Sequence, residues 1–185
     1  MRVTPQYFSR GKILAESGDV RVYEFGKDLF LDKGVSHFLW ARASELREYE
    51  LQIKNYPKGN CLEVGLGLGV SAKHILTRPR TEYLTTVEQN SDVINVFFKM
   101  NPDGYARHKI IYGDGVDYLI QTEETFDFVF LDFYSLIDED TLPEIALAVR
   151  LAEFKLNKEG KIVAWFDPFT PEEFALPFSS LFEED

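Results

Sequence analysis

The chain has 185 residues, 45% of them hydrophobic and 15% aromatic, which suits one domain with a full core and excludes a disordered segment. Its 31 Asp and Glu against 20 Lys and Arg give a formal net charge of -11, so the chain repels a polyanion on average and nucleic acid is a disfavoured partner. Cys61 is the single cysteine and cannot form an internal disulfide; with no apolar signal core at the N-terminus and no apolar run able to span a bilayer, a soluble cytoplasmic protein is expected.

Residues 1–18 carry no clear pattern. Val20-Arg21-Val22-Tyr23-Glu24-Phe25 alternates and reaches Gly26-Lys27-Asp28; Leu29-Phe30-Leu31 resumes and Asp32-Lys33-Gly34 closes the segment, which predicts a β-hairpin. Residues 37–54 suit a helix with Phe38, Ala41, Leu46, Tyr49 and Ile53 near one face, ended by Tyr56-Pro57-Lys58-Gly59. Residues 1–56 thus read as a hairpin-and-helix extension, and residues 57–185 as the core with a Phe-rich tail.

The core opens with Asn60-Cys61-Leu62-Glu63-Val64-Gly65-Leu66-Gly67-Leu68-Gly69-Val70-Ser71, an apolar run that ends in three alternating glycines before a helical pattern begins. It reads as a buried strand, a tight turn and a helix N-terminus, where glycines let a ligand approach the main chain. Elements then alternate: strand Tyr83–Val87 ending at Glu88, helix Asp92–Met100, strand His108–Tyr112 ending at Gly113-Asp114-Gly115, a short helix from Val116, and strand Phe126–Leu131 ending at Asp132. Thr141-Leu142-Pro143-Glu144 reads as a capping box for a helix to about Leu156, and Leu156–Gly160 as a turn before strand Lys161–Phe166. Such alternation predicts an α/β fold, a Rossmann-like doubly wound and mostly parallel sheet with right-handed crossovers. In the tail, Thr170-Pro171-Glu172-Glu173 reads as a second capping box, with Phe169 and Phe174 as its staple. Phe174, Phe178 and Phe182 form one apolar stripe, interrupted by Pro177, that packs on the domain or serves a homodimer interface.

Ligands of open parallel sheets bind beyond the carboxyl ends of the strands. Those ends read Gly65, Glu88, Asp114, Asp132 and Asp167, so four acids line the rim. Each alone would serve as a solvated strand end; together they suit an adenosine that carries a positive charge. Glu88 stands where an acid accepts from ribose hydroxyls, Asp114 where one takes the adenine amino group, and Asp132 at the centre, where transfer occurs. Phosphate-bearing dinucleotides fit less well, because the last glycine of G-x-G-x-x-G falls on Val70 and a Walker loop is lacking. His37, His74 and His108 are too dispersed for a metal site, so no metal is expected, and His108, opening a strand, reads as structural.

On Leu62–Gly69, Val87-Glu88, Gly113-Asp114-Gly115, Phe126–Asp132 and the turn Leu156–Lys161, the sequence resembles the class I S-adenosylmethionine-dependent methyltransferases over residues 58–167, and within them the spermidine-synthase-like branch. The resemblance implies S-adenosyl-L-methionine as cofactor, with Gly65 and Gly67 near its methionine part, Glu88 on the ribose and Asp114 near the adenine. Glu63, Gly69, Gln89, Gly115 and Asp132 complete the implied cofactor-binding set. In true aminopropyltransferases the aspartate after the fourth strand deprotonates the attacking amine, and Asp132 matches it. Two departures stand out: Leu68 replaces an aspartate between the later glycines, and Phe133-Tyr134-Ser135 follows where Ser-Ser-Asp-Pro is usual. The family also adds a β-hairpin after the fifth strand, so a shortened C-terminus is expected.

Methyl transfer to a small or medium acceptor is the leading function, with Asp132 as base and Tyr134 orienting the acceptor. Aminopropyl transfer with the same base, and nucleoside binding without chemistry, are the alternatives. A small-molecule substrate is expected, with no membrane partner, and a homodimer would use the tail or the N-terminal hairpin.

Overall fold

The computed structural model describes residues 11–33, 38–42, 46–166 and 170–182. Gly34, His37, Asp167 and Phe169 therefore lie outside the described residues, and with them the fourth rim acid and one half of the predicted staple.

The N-terminal part is a four-stranded antiparallel meander: β1 (Lys12–Ser17), β2 (Val20–Phe25), β3 (Asp28–Lys33) and β4 (Phe38–Arg42), in the order β1-β2-β3-β4. The predicted hairpin is β2–β3, extended by one strand on each side. The helix predicted over 37–54 is corrected: β4 pairs antiparallel with β3, and helix α1 is only Leu46–Ile53. Phe38-Leu39-Trp40 is a short bulky run that suits a pleated surface as well as a helix, and the open edge of β3 decides for the strand. On α1 the buried side chains are Tyr49 and Ile53, while Leu46 is exposed.

The core sheet is parallel, in the order β7-β6-β5-β8-β9. Its strands are β5 (Gly59–Val64), β6 (Thr81–Glu88), β7 (His108–Tyr112), β8 (Phe126–Leu131) and β9 (Leu156–Ala164), joined by α2 (Val70–Leu76), α3 (Ser91–Met100), α4 (Gly115–Gln121) and α5 (Leu142–Glu153). Central strands covered on both faces read as continuous apolar runs, and β8, Phe-Asp-Phe-Val-Phe-Leu, is such a run. One face packs Leu62, Val64, Val129 and Leu131 against Ile145, Val149 and Ala152 of α5; the other packs Cys61, Leu84, Phe128 and Phe130 against Ala72, Ile75 and Ile53. The meander docks on α3, where Ala15, Val20, Val22 and Leu31 meet Val93, Val96 and Phe97, and the Ser17 hydroxyl donates to Asp92 Oδ1 at 2.7 Å.

Two turns differ from expectation. The Thr141 hydroxyl makes no helix cap; it donates instead to the Asp138 carboxylate at 2.9 Å, which also accepts from the Thr141 N–H at 3.0 Å and so closes the turn ahead of α5. Asp138 stands three residues earlier and engages Thr141 before it can turn toward Glu144. The turn at 156–160 belongs to β9: Leu156 pairs with Phe126 and Lys161 with Phe128, so Asn157–Gly160 bulge outward, with Glu159 at φ 65. Accordingly α5 stops at Glu153 rather than near Leu156.

The last helix, α6 (Glu172–Ser180), continues through Pro177. It has Pro171 at its N-cap and no side-chain cap, so the second capping box is not made; the Thr170 hydroxyl is buried without a hydrogen-bond partner among the described residues. Of the Phe stripe, Phe178 is buried against Phe166 (ring centroids 5.4 Å apart) and Phe174 packs on the same cluster, so the stripe covers its own domain. Among the described residues, no helix is long and apolar enough to cross a membrane.

Candidate functional site

The register of the parallel sheet builds the site. Val64 pairs with Val87 on one side and Leu131 on the other, so Gly65, Glu88 and Asp132 emerge side by side at the carboxyl ends. Beyond them lies a cavity of about 560 Å³, within the range of small-molecule and cofactor sites. Its wall includes Gly65, Gly67, Glu88, Gln89, Asp114, Gly115, Asp132 and Tyr134, all predicted from sequence, together with Tyr49, Tyr112, Ser135 and Glu144, which were not.

The glycines serve the chain as much as any ligand. Gly65 lies at φ 99, and a Cβ there would stand 2.0 Å from the Asp132 carbonyl oxygen. The turn is thus pinned against the end of β8, where the Asp132 N–H donates to the Val64 carbonyl at 2.8 Å. Gly69 stands outside that wall: at φ 72 it forms the N-cap of α2, and a Cβ would stand 2.5 Å from the Phe97 ring. Its freedom from a side chain lets α2 start against α3.

Glu88 is nearly buried and clamps the turn. Its Oε2 accepts from the Leu66 N–H at 2.9 Å and its Oε1 from the Asn90 N–H at 2.8 Å. Burial pushes its carboxyl pKa up, while these backbone donors and those of Gln89 and Gly67 pull it back. Asp114 caps α4, its Oδ1 accepting from the Asp117 N–H at 2.9 Å. Both acids face the cavity and hold the backbone that shapes it.

Asp132 sits at the centre of the wall, and the Tyr49 hydroxyl donates to its Oδ2 at 2.9 Å. Tyr49 comes from α1, 83 positions away, its ring edge-on to Phe130. Nearby Gln52 closes the same junction, donating to the Phe166 carbonyl at 2.9 Å and accepting from its N–H at 2.8 Å. No local signal in the sequence links α1 to Asp132; only the packing of the extension brings them together. Tyr134 is the converse case. Predicted to orient an acceptor, its hydroxyl instead donates to the Trp165 carbonyl, and burial with the nearby Asp132 charge raises its pKa well above the tyrosine range. It fixes the loop after β8 to the end of β9.

Glu63 also stands outside that wall. It is wholly buried behind the turn, on the opposite side of the sheet from Leu62 and Val64. Its Oε2 is hydrogen-bonded to the Thr86 hydroxyl oxygen, 2.6 Å away. Among the described residues, the cavity wall carries four carboxylates, Glu88, Asp114, Asp132 and Glu144, and no Lys or Arg, and no cluster of His, Cys, Asp and Glu is arranged to hold a metal ion.

No family model matches the chain. Among solved structures, spermidine synthase from Thermotoga maritima superposes with a TM-score of 0.69 at 17% identity, over 93% of this chain and 64% of that one. The fold is that of the class I methyltransferases, in the form found in spermidine synthase. Precorrin-8W decarboxylase from Methanobacterium thermoautotrophicum aligns at a TM-score of 0.55 and 14% identity, over 76% of this chain and 72% of that one. Streptomyces venezuelae DesVI aligns at 0.50 and 23% identity, over 70% and 53%. The chain spans less than two thirds of the spermidine synthase that it matches. At 93% coverage the spermidine synthase match takes in most of the N-terminal meander and α1 as well as the core, and so the part of the chain that delivers Tyr49 to Asp132.

Proposed function

We propose that the protein is an S-adenosylmethionine-dependent methyltransferase acting on a small or medium acceptor that carries an ionisable N–H or O–H. The observation that carries this reading is the cavity at the carboxyl ends of the strands, walled by four carboxylates and no cation among the described residues. A neutral or anionic ligand would gain little from such a wall, whereas a sulfonium is complemented by it. The residues lining the cavity fit the group: Gly65 and Gly67 would border its methionine end, Glu88 and Gln89 would hold the ribose, and Asp114 and Gly115 would border the adenine, all six being part of the wall. When bound, S-adenosylmethionine supplies an electrophilic methyl group.

The chain's own residues supply position and a base. Asp132 would take the proton that the acceptor nitrogen or oxygen gives up on transfer. Tyr49 acts as a positioning residue: its hydroxyl bond fixes the rotation of the Asp132 carboxylate. A base so held contributes about 10²–10⁴-fold. Tyr134 and Gln52 brace the loops on either side through backbone partners.

Aminopropyl transfer is the second reading, favoured by the same wall, since a decarboxylated cofactor has lost its one negative group. A thermal-shift series separates the two. The ligands are S-adenosylmethionine, S-adenosylhomocysteine, decarboxylated S-adenosylmethionine, methylthioadenosine and NAD. Ligand at a hundredfold over its Kd adds about 2.7 kcal/mol, a rise of about 5–11 °C for a domain of this size. Shifts with the first two ligands support methyl transfer, and a larger shift with the third supports aminopropyl transfer. No shift with any adenosyl compound refutes both.

A further inference from the structure

Glu63 lies under the glycine turn, fully buried, at the inner end of a hydrogen-bonded chain. The Thr86 hydroxyl is 2.6 Å from Glu63 Oε2 and 2.7 Å from Nε2 of His108. His108 is only half-buried, at the start of β7, which is an edge strand of the sheet, and its ring stacks on Tyr105 with centroids 5.8 Å apart. The chain therefore runs from beneath the cavity to the outer edge of the sheet.

The inner end is unsuited to a charge. Glu63 Oε1 makes no hydrogen bond of normal length and angle among the described residues; the Ser71 hydroxyl acts on the carboxyl without closing one. A buried carboxylate oxygen left so is costly as an anion and far less so as part of a neutral carboxyl. The ionisable groups facing Glu63 are Glu88 at the end of β6, Asp132 beyond β8, His108 on β7, Tyr105, which senses its charge, and Cys61 on its own strand. Glu88 and Asp132 repel a charge on it; the Ser71 and Thr86 hydroxyls favour one; burial outweighs these and lifts the carboxyl pKa to about 8. Burial also lowers His108 to about 4, so the imidazole is neutral at pH 7.

We propose that binding of a cationic cofactor in the acid-walled cavity drives one proton off Glu63, and that this proton leaves through Thr86 and His108 to the edge of the sheet. The proposal rests on the sulfonium reading given above. In the free protein the Glu63 O–H donates to Thr86 Oγ1, and the Thr86 O–H donates to Nε2 of His108, whose proton is on Nδ1. As the proton leaves, Thr86 takes the proton of Glu63 and passes its own to Nε2, while Nδ1 releases one to water. The chain ends reversed: His108 Nε2–H donates to Thr86, and the Thr86 hydroxyl donates to the Glu63 carboxylate. One proton reaches bulk water, and His108 changes tautomer without holding a lasting charge. The new anion lies close under the turn that borders the sulfonium. Because the free form must lose a proton to bind, affinity rises with pH below about 8 and levels off above it.

The test is calorimetric titration with S-adenosylmethionine at pH 7 in phosphate and in Tris, whose different ionisation heats report the protons released. Close to one proton per bound cofactor is expected, falling by that amount in Glu63→Gln and being far smaller for S-adenosylhomocysteine, which lacks the sulfonium charge. In wild type, Kd should fall about tenfold per pH unit as pH rises toward 8, a readout that needs no variant. With a pH-indicator dye in stopped flow, Thr86→Val should slow proton release at least tenfold and Thr86→Ser should restore it. Binding without proton release overturns the proposal alone, as does release unchanged in Glu63→Gln. Failure of S-adenosylmethionine to bind overturns the cofactor reading together with it.

Discussion

Replacing Gly65 with alanine tests whether the turn is set by contact with β8. An added Cβ would lie 2.0 Å from the Asp132 carbonyl oxygen and 2.7 Å from its carbon, both backbone atoms with no rotamer to yield. Gly26, in the β2–β3 turn, is the matched control: it lies at φ 67 and has nothing within 4 Å of a Cβ. Both alanines carry the left-handed backbone cost of about 1–2 kcal/mol. Only Gly65→Ala adds the overpacking cost of about 1–3 kcal/mol. For a chain of this length each kcal/mol moves Tm by about 2–4 °C, so Gly26→Ala should lose about 2–8 °C and Gly65→Ala about 2–12 °C more. Scanning calorimetry reads the difference. Because the atom struck belongs to Asp132, Gly65→Ala should also lose the thermal shift with S-adenosylmethionine while Gly26→Ala keeps it. Equal Tm losses with equal ligand shifts would refute the reasoning.

Asp132→Asn should lower kcat about 10²–10⁴-fold and leave cofactor Kd within about twofold, measured by turnover and calorimetry. Tyr49→Phe keeps the ring on Phe130 and removes the hydroxyl bond, worth about 1.5–3 kcal/mol for a charged acceptor, so kcat should fall about 10–100-fold with KM nearly unchanged; a KM effect alone would contradict the positioning role. His108 has its pKa lowered from 6.5 to about 4, so the unfolded chain binds more protons in that window; stability is full above pH 6.5 and lost as pH falls toward 4. Urea midpoints between pH 4 and 7 should show this slope, flattened in His108→Gln. Asp138 has its carboxyl pKa lowered by the Thr141 N–H and hydroxyl, so its support of α5 is present above pH 3.8 and lost as pH falls through the lower folded value; Asp138→Ala should lower Tm at pH 7 with a smaller loss at pH 3.

The core was legible because its signals are local. Four of the core strands are followed or ended by a glycine or an acid, and parallel pairing then places Gly65, Glu88, Asp114 and Asp132 on one rim. What was not legible depends on partners distant in the chain. Phe38–Arg42 became a strand because β3 offered an edge, not because its own pattern forbade a helix. Tyr49 read as one apolar position of a helix, and nothing near it signals an aspartate 83 positions on. Tyr134 stood where a ligand contact fits, yet the carbonyl of Trp165, just past the end of β9, takes its hydroxyl. Thr141 carried a capping signature, but Asp138 offered a competing oxygen three residues earlier.

The rim acids also show how a fold concentrates like charge without unfolding. Glu88 is held by two backbone N–H groups, Asp114 by one at the start of α4, and Asp132 by the Tyr49 hydroxyl. Charge-assisted bonds of this kind offset part of the mutual repulsion and hold the wall in shape before a ligand arrives. Each acid consequently has two effects, one on the backbone and one on the electrostatic field in the cavity. At Asp114 a single oxygen accepts from the backbone, so Asp114→Asn keeps that bond and removes the charge, while Asp114→Ala removes both. There the difference between amide and alanine isolates the part that shapes the turn, and the difference between wild type and amide the part that acts on a cation. Glu88 does not separate in this way: both of its oxygens accept from backbone N–H groups, so Glu88→Gln loses one bond and turns an NH2 group against an N–H, and its two effects fall together.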